Sequence, residues 1–186
     1  MPKENRSKYA ILGMLDFCPM SGYDLRKYAA SSISHFWKED YGHIYPTLKL
    51  LLEDGLAKMD ELPGKGKPLR HLYSITNEGR GELVRWLEEM PNPPNLRIEL
   101  LLKVFLGRRA EPERLALMLE KQAKECESAH VELLATEKHL KSEIDAGGET
   151  GREANFQLMT LRYGKSYYES LGTWCRETLE ELRKPE

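Results

Sequence analysis

Three cysteines in 186 residues, Cys18, Cys126 and Cys175, are too few and too widely spaced for a disulfide framework, and they make no CxxC or Cys/His metal spacing. They read as buried thiols. No apolar run approaches the ~20 residues needed to cross a bilayer, and residues 1–6 lead into a helical pattern without a signal-peptide apolar region. A cytoplasmic protein is expected. Surplus charge is also missing: residues 1–90 hold 13 Lys and Arg against 13 Asp and Glu, and residues 91–186 hold 15 against 17, giving the net −2. That excludes a generic polyanion binder and leaves nucleic-acid contact to local placement of charge. The five histidines, His35, His43, His71, His130 and His139, form no HExxH or similar spacing, and GxSxG, P-loop and GxGxxG motifs are absent. Neither an enzyme nor a cofactor is expected.

What is present centres on residues 41–55. Proline lacks an amide hydrogen and is tolerated in a helix's first turn, so Pro46 sets a start near Gly42 or His43, and Gly55 supplies a left-handed stop. Ile44, Leu48, Leu51 and Leu52 repeat at the spacing of one helical face. His43, Tyr45, Thr47 and Lys49 are assigned to the other, where they could hydrogen bond to bases or phosphates.

The segments around this helix give it a context. A stripe of Tyr9, Leu12 and Leu15 predicts a helix over 8–17 that ends at Pro19. Ser21 and Asp24 form a capping-box pattern for a second helix reaching about Ser32. After Gly55 the period changes: 56–62 and 70–75 read as strands joined by the basic turn 63–68, which carries Lys65 and Lys67, with Arg70 just beyond it. Thr76 caps a further helix with Leu83, Val84, Trp86 and Leu87 on its apolar side. Three helices, a hairpin and a fourth helix is the order of a winged helix-turn-helix, whose recognition helix enters the major groove.

The residues also resemble the PadR family of transcriptional regulators. The matching motifs are YAILGML at 9–15, PMSGYDL at 19–25, HFW at 35–37, YGHIYPTL at 41–48, LEDGL at 52–56 and YSITNEG at 73–79. The resemblance implies a dimeric DNA-binding regulator, usually a repressor, with a helical dimerising C-terminal part and, in many members, release by small aromatic or hydrophobic compounds. The DNA-binding residues expected are Ser21, Tyr23, Tyr41, His43, Tyr45, Thr47, Lys49, Lys65, Lys67 and Arg70, reading an inverted-repeat operator in double-stranded DNA. Two features depart from the family's pattern: Leu50 stands where a basic residue is common, and Glu39 and Asp40 precede the recognition helix. Both weaken the positive field near DNA and increase the dependence on dimeric engagement.

The fold class expected is mainly α with a small β-hairpin, a winged helix-turn-helix over 1–90 joined by the stiff linker 91–95 to helices over 96–186. A short apolar helix at 98–106 should be buried through Leu100, Leu101, Val104 and Phe105. From Pro112 to about Ala146 a heptad seam runs through Leu115, Leu119, Gln122, Cys126, Ala129, Leu133, Thr136 and Leu140. Gly147, Gly148 and Gly151 break it, and a second seam runs from Leu161 to Leu182. An antiparallel pair completed by the same pair of a second subunit is expected. Beside the second seam, Phe156, Met159, Tyr163, Tyr167 and Trp174 form an aromatic flank that suits either a dimer interface or a pocket for an aromatic effector. The competing function is a winged-helix scaffold that binds protein and not DNA, which the neutral first half permits.

Overall fold

The structure, a computed structural model, describes residues 6–37, 41–62, 69–94 and 96–184. The chain forms two compact units, Met1–Pro93 and Pro94–Glu186.

In the first unit, α1 (Ser7–Phe17) and α2 (Gly22–Ser32) are followed by a 3-10 turn at Tyr41–His43 and α3 (Ile44–Glu53). The antiparallel strands β1 (Ala57–Leu62) and β2 (Arg70–Ile75) then lead to α4 (Asn77–Leu87). Pro46 occupies the third position of α3, where its missing amide costs no helical hydrogen bond. Gly55 takes φ +69, which turns the chain out of α3 and into β1. The Thr76 hydroxyl accepts from the Gly79 amide to cap α4 and donates to the Gly55 carbonyl, so one side chain ties the end of α3 to the start of α4. Ile11, Leu12, Leu15, Leu25, Ile44, Leu48 and Leu51 form a core almost without solvent contact. Each such aliphatic contributes about 1.5–3 kcal/mol. Tyr9 stacks on Trp86 with centroids 4.5 Å apart, and its hydroxyl donates to Glu82.

In the second unit α5 (Glu99–Phe105) precedes α6 (Pro112–Ala146) and α7 (Gly148–Leu182). Pro112 opens α6 in the first turn. Gly147 and Gly148, both at positive φ, reverse the chain between two helices of 35 residues, each ~50 Å long at 1.5 Å per residue. Ion pairs of Glu120 with Arg183 and of Glu137 with Lys165 set the antiparallel register.

The expected antiparallel helix pair is present, and three other sequence expectations, for Gly151, α5 and Cys18, need correction. Gly151 does not break a helix: it is buried inside α7, where a Cβ would lie 3.0 Å from the Glu143 carbonyl, so its small size lets the helices meet closely. The heptad seams are filled within the chain, with Leu119, Cys126 and Leu140 of α6 buried together with Leu161, Gly164 and Cys175 of α7. No α5 residue is buried; Leu101 and Phe105 are exposed, because a seven-residue helix finds too little of its own chain to cover it. Cys18, just beyond α1, is exposed while the other two thiols are buried.

Candidate nucleic-acid interface

The exposed side of α3 carries His43, Tyr45, Pro46, Lys49 and Leu50. Its other side is Ile44, Thr47, Leu48 and Leu51, an i, i+3, i+4, i+7 set that packs into the core. Thr47 is therefore corrected: at 1 % exposure it belongs to the buried face and cannot reach DNA. Ile44 fixes one edge of the apolar stripe, and Thr47 lies three residues on and four before Leu51.

Ser21 is corrected too. It is buried at 8 %, its hydroxyl donates to Asp24 Oδ2 at 2.7 Å and accepts from the Asp24 amide, and its own amide donates to the same carboxylate at 3.0 Å. Its hydroxyl is committed to holding the first turn of α2, in the reciprocal arrangement of a capping box. Tyr23, two residues on, is well exposed.

Two backbone hydrogen bonds hang this turn on the sheet. Met20 and Tyr73 exchange amide and carbonyl at 3.0 and 2.9 Å, so the chain entering α2 runs against the free edge of β2. That places the N-terminus of α2 beside both α3 and the hairpin. The Tyr45 ring lies over Gly22 so closely that a Cβ there would sit 2.6 Å from the ring and displace it, so glycine is what lets the ring rest at this point. Tyr45 nevertheless remains 62 % exposed, a ring supported from below and open above. Burial, and then the neighbouring Tyr45, push the Tyr73 hydroxyl above its ordinary pKa, keeping it a neutral donor.

Charge at the site is balanced. Lys49 lies 3.6 Å from Glu53 across one turn of α3, and Arg70, the first residue of β2, lies 2.5 Å from Asp24. The Ser21 hydroxyl, more than any other neighbour, holds the Asp24 carboxyl below the ordinary carboxylate range; desolvation opposes it, and the Ser21 amide and Arg70 reinforce it. The Lys49–Glu53 spacing is legible along the sequence. Asp24 and Gly22 carry no such signal in the sequence, because their partners Arg70 and Tyr45 are distant along the chain and no local period links them. Lys65 and Lys67, the turn 63–68 and the acids Glu39 and Asp40 lie outside the described residues, as does the side chain of Tyr41.

In the second unit Phe156, Met159, Tyr163 and Tyr167 are exposed on α7, with Trp174 half-buried beyond them. An open depression of about 500 Å³ lies along α6 between Lys121 and Glu132, and none of the five α7 side chains lines it. Among the described residues no group of three or more His, Cys, Asp or Glu converges as a metal site, and no helix is long and apolar enough to cross a membrane.

Comparison with known proteins covers both units. The model of the transcriptional regulator PadR-like family matches residues 11–85, and that of the virulence activator alpha C-terminal domain matches residues 96–183. The negative transcriptional regulator PadR of Bacillus subtilis is 34% identical over 99 residues, 53% of this chain and 54% of that protein, so the match spans about half the length of this relative. The Streptococcus mutans UA159 protein smu.1604c superposes with a TM-score of 0.81 at 26% identity, over 93% of this chain and 98% of that one. Bacillus subtilis PadR in complex with operator DNA superposes with a TM-score of 0.81 at 22% identity, over 97% of this chain and 99% of that one. The same protein with p-coumaric acid gives 0.71 at 23% identity, over 95% and 98%. At such identities the last two likenesses establish the fold, a winged helix-turn-helix followed by a helical region.

Proposed function

We propose, from the match of residues 11–85 to the PadR-like family of transcriptional regulators, that this chain binds double-stranded operator DNA as a homodimer, one α3 helix to each half of an inverted repeat, and represses transcription there. The observation that carries this reading is the exposed α3 face, on which Tyr45 is braced against Gly22 with Lys49 one turn away. Tyr23, His43, Tyr45 and Lys49 are the groups offered to bases and phosphates. Tyr41, Lys65 and Lys67 complete the set, and Arg70 joins it where a phosphate takes it from Asp24. The printed role of the Bacillus subtilis relative, a negative regulator, supports repression.

The dimer is supported by what the helix pair leaves uncovered. Leu102 and Phe105 on α5 and Phe156, Met159 and Tyr163 on α7 are all more than half exposed, apolar side chains that an interface would cover. A second copy offers the same surface and closes the assembly with twofold symmetry. The aromatics would also suit a small aromatic effector, a reading the p-coumaric acid complex of the relative supports. Binding that favours one arrangement of the two recognition helices would change their spacing and release the operator.

Titration of purified protein against its own promoter region at low and physiological salt tests the whole. A salt-dependent complex is expected, and Tyr45→Ala should erode sequence preference by about 1–3 kcal/mol. Absence of a complex at either salt overturns DNA binding and leaves the winged helix as a protein-binding scaffold.

A further inference from the structure

The turn end of the hairpin, where Arg70 pairs with Leu62, carries a cation that is already occupied. Arg70 Nη2 lies 2.5 Å from Asp24 Oδ2, with the arginine side chain 57% exposed and the aspartate 36%. The carboxylate is not a passing partner, because the Ser21 amide and hydroxyl both donate to the same oxygen and fix it at the first turn of α2. Arg70 swings on a long side chain; Asp24 is held. A phosphate approaching the hairpin must therefore take Arg70 away from an anchored anion and then lie near that anion.

We propose that Asp24 is a specificity-determining residue: an anchored negative charge that keeps Arg70 from DNA phosphates and so suppresses binding to non-operator sequence. The proposal rests on the DNA-binding reading above. Non-specific affinity is built almost wholly from phosphate contacts and counterion release, whereas operator affinity adds base contacts from α3. A charge that blocks one phosphate contact thus takes a larger share of the non-specific complex than of the specific one. An exposed ion pair is weak enough to be exchanged for another oxyanion, so Asp24 biases Arg70 without locking it.

The test is the affinity of the full-length protein for a mixed-sequence DNA duplex, measured over a range of salt for the wild type, Asp24→Asn, Arg70→Ala and the double variant. The amide in D24N keeps an oxygen to accept from Ser21 and removes the charge. D24N should bind several-fold more tightly, with a log K against log salt slope steeper by up to about 0.9, the value of one added phosphate contact. R70A should leave the slope near that of the wild type, and the double variant should behave as R70A does. If the gain of D24N survives in the double variant, Asp24 acts by direct repulsion and the gate on Arg70 is wrong. If D24N and R70A both weaken binding to the same degree, the pair persists on DNA as a structural tie and the proposal falls. Thermal midpoints identify a folding defect; should D24N have one, Asp24→Thr removes the same charge, leaves the Ser21 hydroxyl to cap α2, and carries the same expectations. Failure of the DNA-binding reading itself looks different, because all four proteins would then give no salt-dependent complex.

Discussion

The two units bury their apolar residues in different ways. In the first, four helices and a hairpin surround a single core, so Leu12 or Leu48 is enclosed from several directions. In the second, the two long helices meet along one seam, and a stripe of large apolar side chains on α7 is left outside. A core closed on all sides can be stable by itself. A two-helix pair has only one buried face for each helix, so the rest of its apolar surface calls for another molecule.

Breaking the closed core should have the largest effect. Leu48→Ala is expected to cost about 2–5 kcal/mol, read as a fall in the denaturant midpoint of the first unit, since Leu48 is buried inside the closed core and its removal leaves a cavity there. Next comes the seam. Gly151→Val pushes a branched side chain against the Glu143 carbonyl and should destabilise the helix pair by about 1–3 kcal/mol in thermal unfolding, with the first unit unaffected. The exposed stripe should behave oppositely: Tyr163→Asp should leave helix content intact yet shift sedimentation toward a monomer, weakening self-association by about tenfold or more, as for a buried interface aromatic. A Tyr163→Asp protein that melts early but stays dimeric would remove the distinction between seam and stripe.

Two smaller effects sharpen the comparison. Glu137 is held by Lys165 first and Lys141 second, which lower its pKa from 4.5 to about 2. Because the folded value is depressed, its contribution is fully present above pH 4.5 and is lost as pH falls toward 2. Glu137→Gln should therefore lower the helix pair's stability at neutral pH and hardly at all near pH 2, which flattens the acid limb between pH 4.5 and 2 in pH-dependent thermal unfolding. Smallest of all, Thr47→Val should leave operator preference unchanged in a binding assay, because a residue 1 % exposed in the core side of α3 reads no base. Loss of sequence preference in that variant would mean that α3 rotates on binding.

These contrasts also mark which parts of the molecule were legible in the amino-acid order. The limits of α6, from Pro112 to the glycines after Ala146, follow from backbone chemistry within one turn. So do the Ser21–Asp24 cap and the Thr76 cap. Thr47 was legible as well, since Ile44 and Leu51 place it on their own face, but its hydroxyl suggested the opposite side. Gly151 read as a break because glycine weakens isolated helices; packed against Glu143 and Ile144, its small size is what the crossing needs. The heptads announced two mating seams, yet nothing in a heptad states whether its mate lies in the same chain.

The sequence by itself determined most helix and strand limits, because those depend on φ preferences, caps and periods within a few residues; the start of α7, which runs through Gly151, is the exception. It also determined that α3 has one apolar and one polar side. Tertiary structure decided what the polar side can do: Met20 pairing with Tyr73 brings the first turn of α2 against α3 and the hairpin, seats Tyr45 on Gly22, and sets Asp24 on Arg70. Residues 46 positions apart acquire a shared electrostatic role only through the packing that closes the distance, and a Coulomb interaction over 2.5 Å has no counterpart in local sequence.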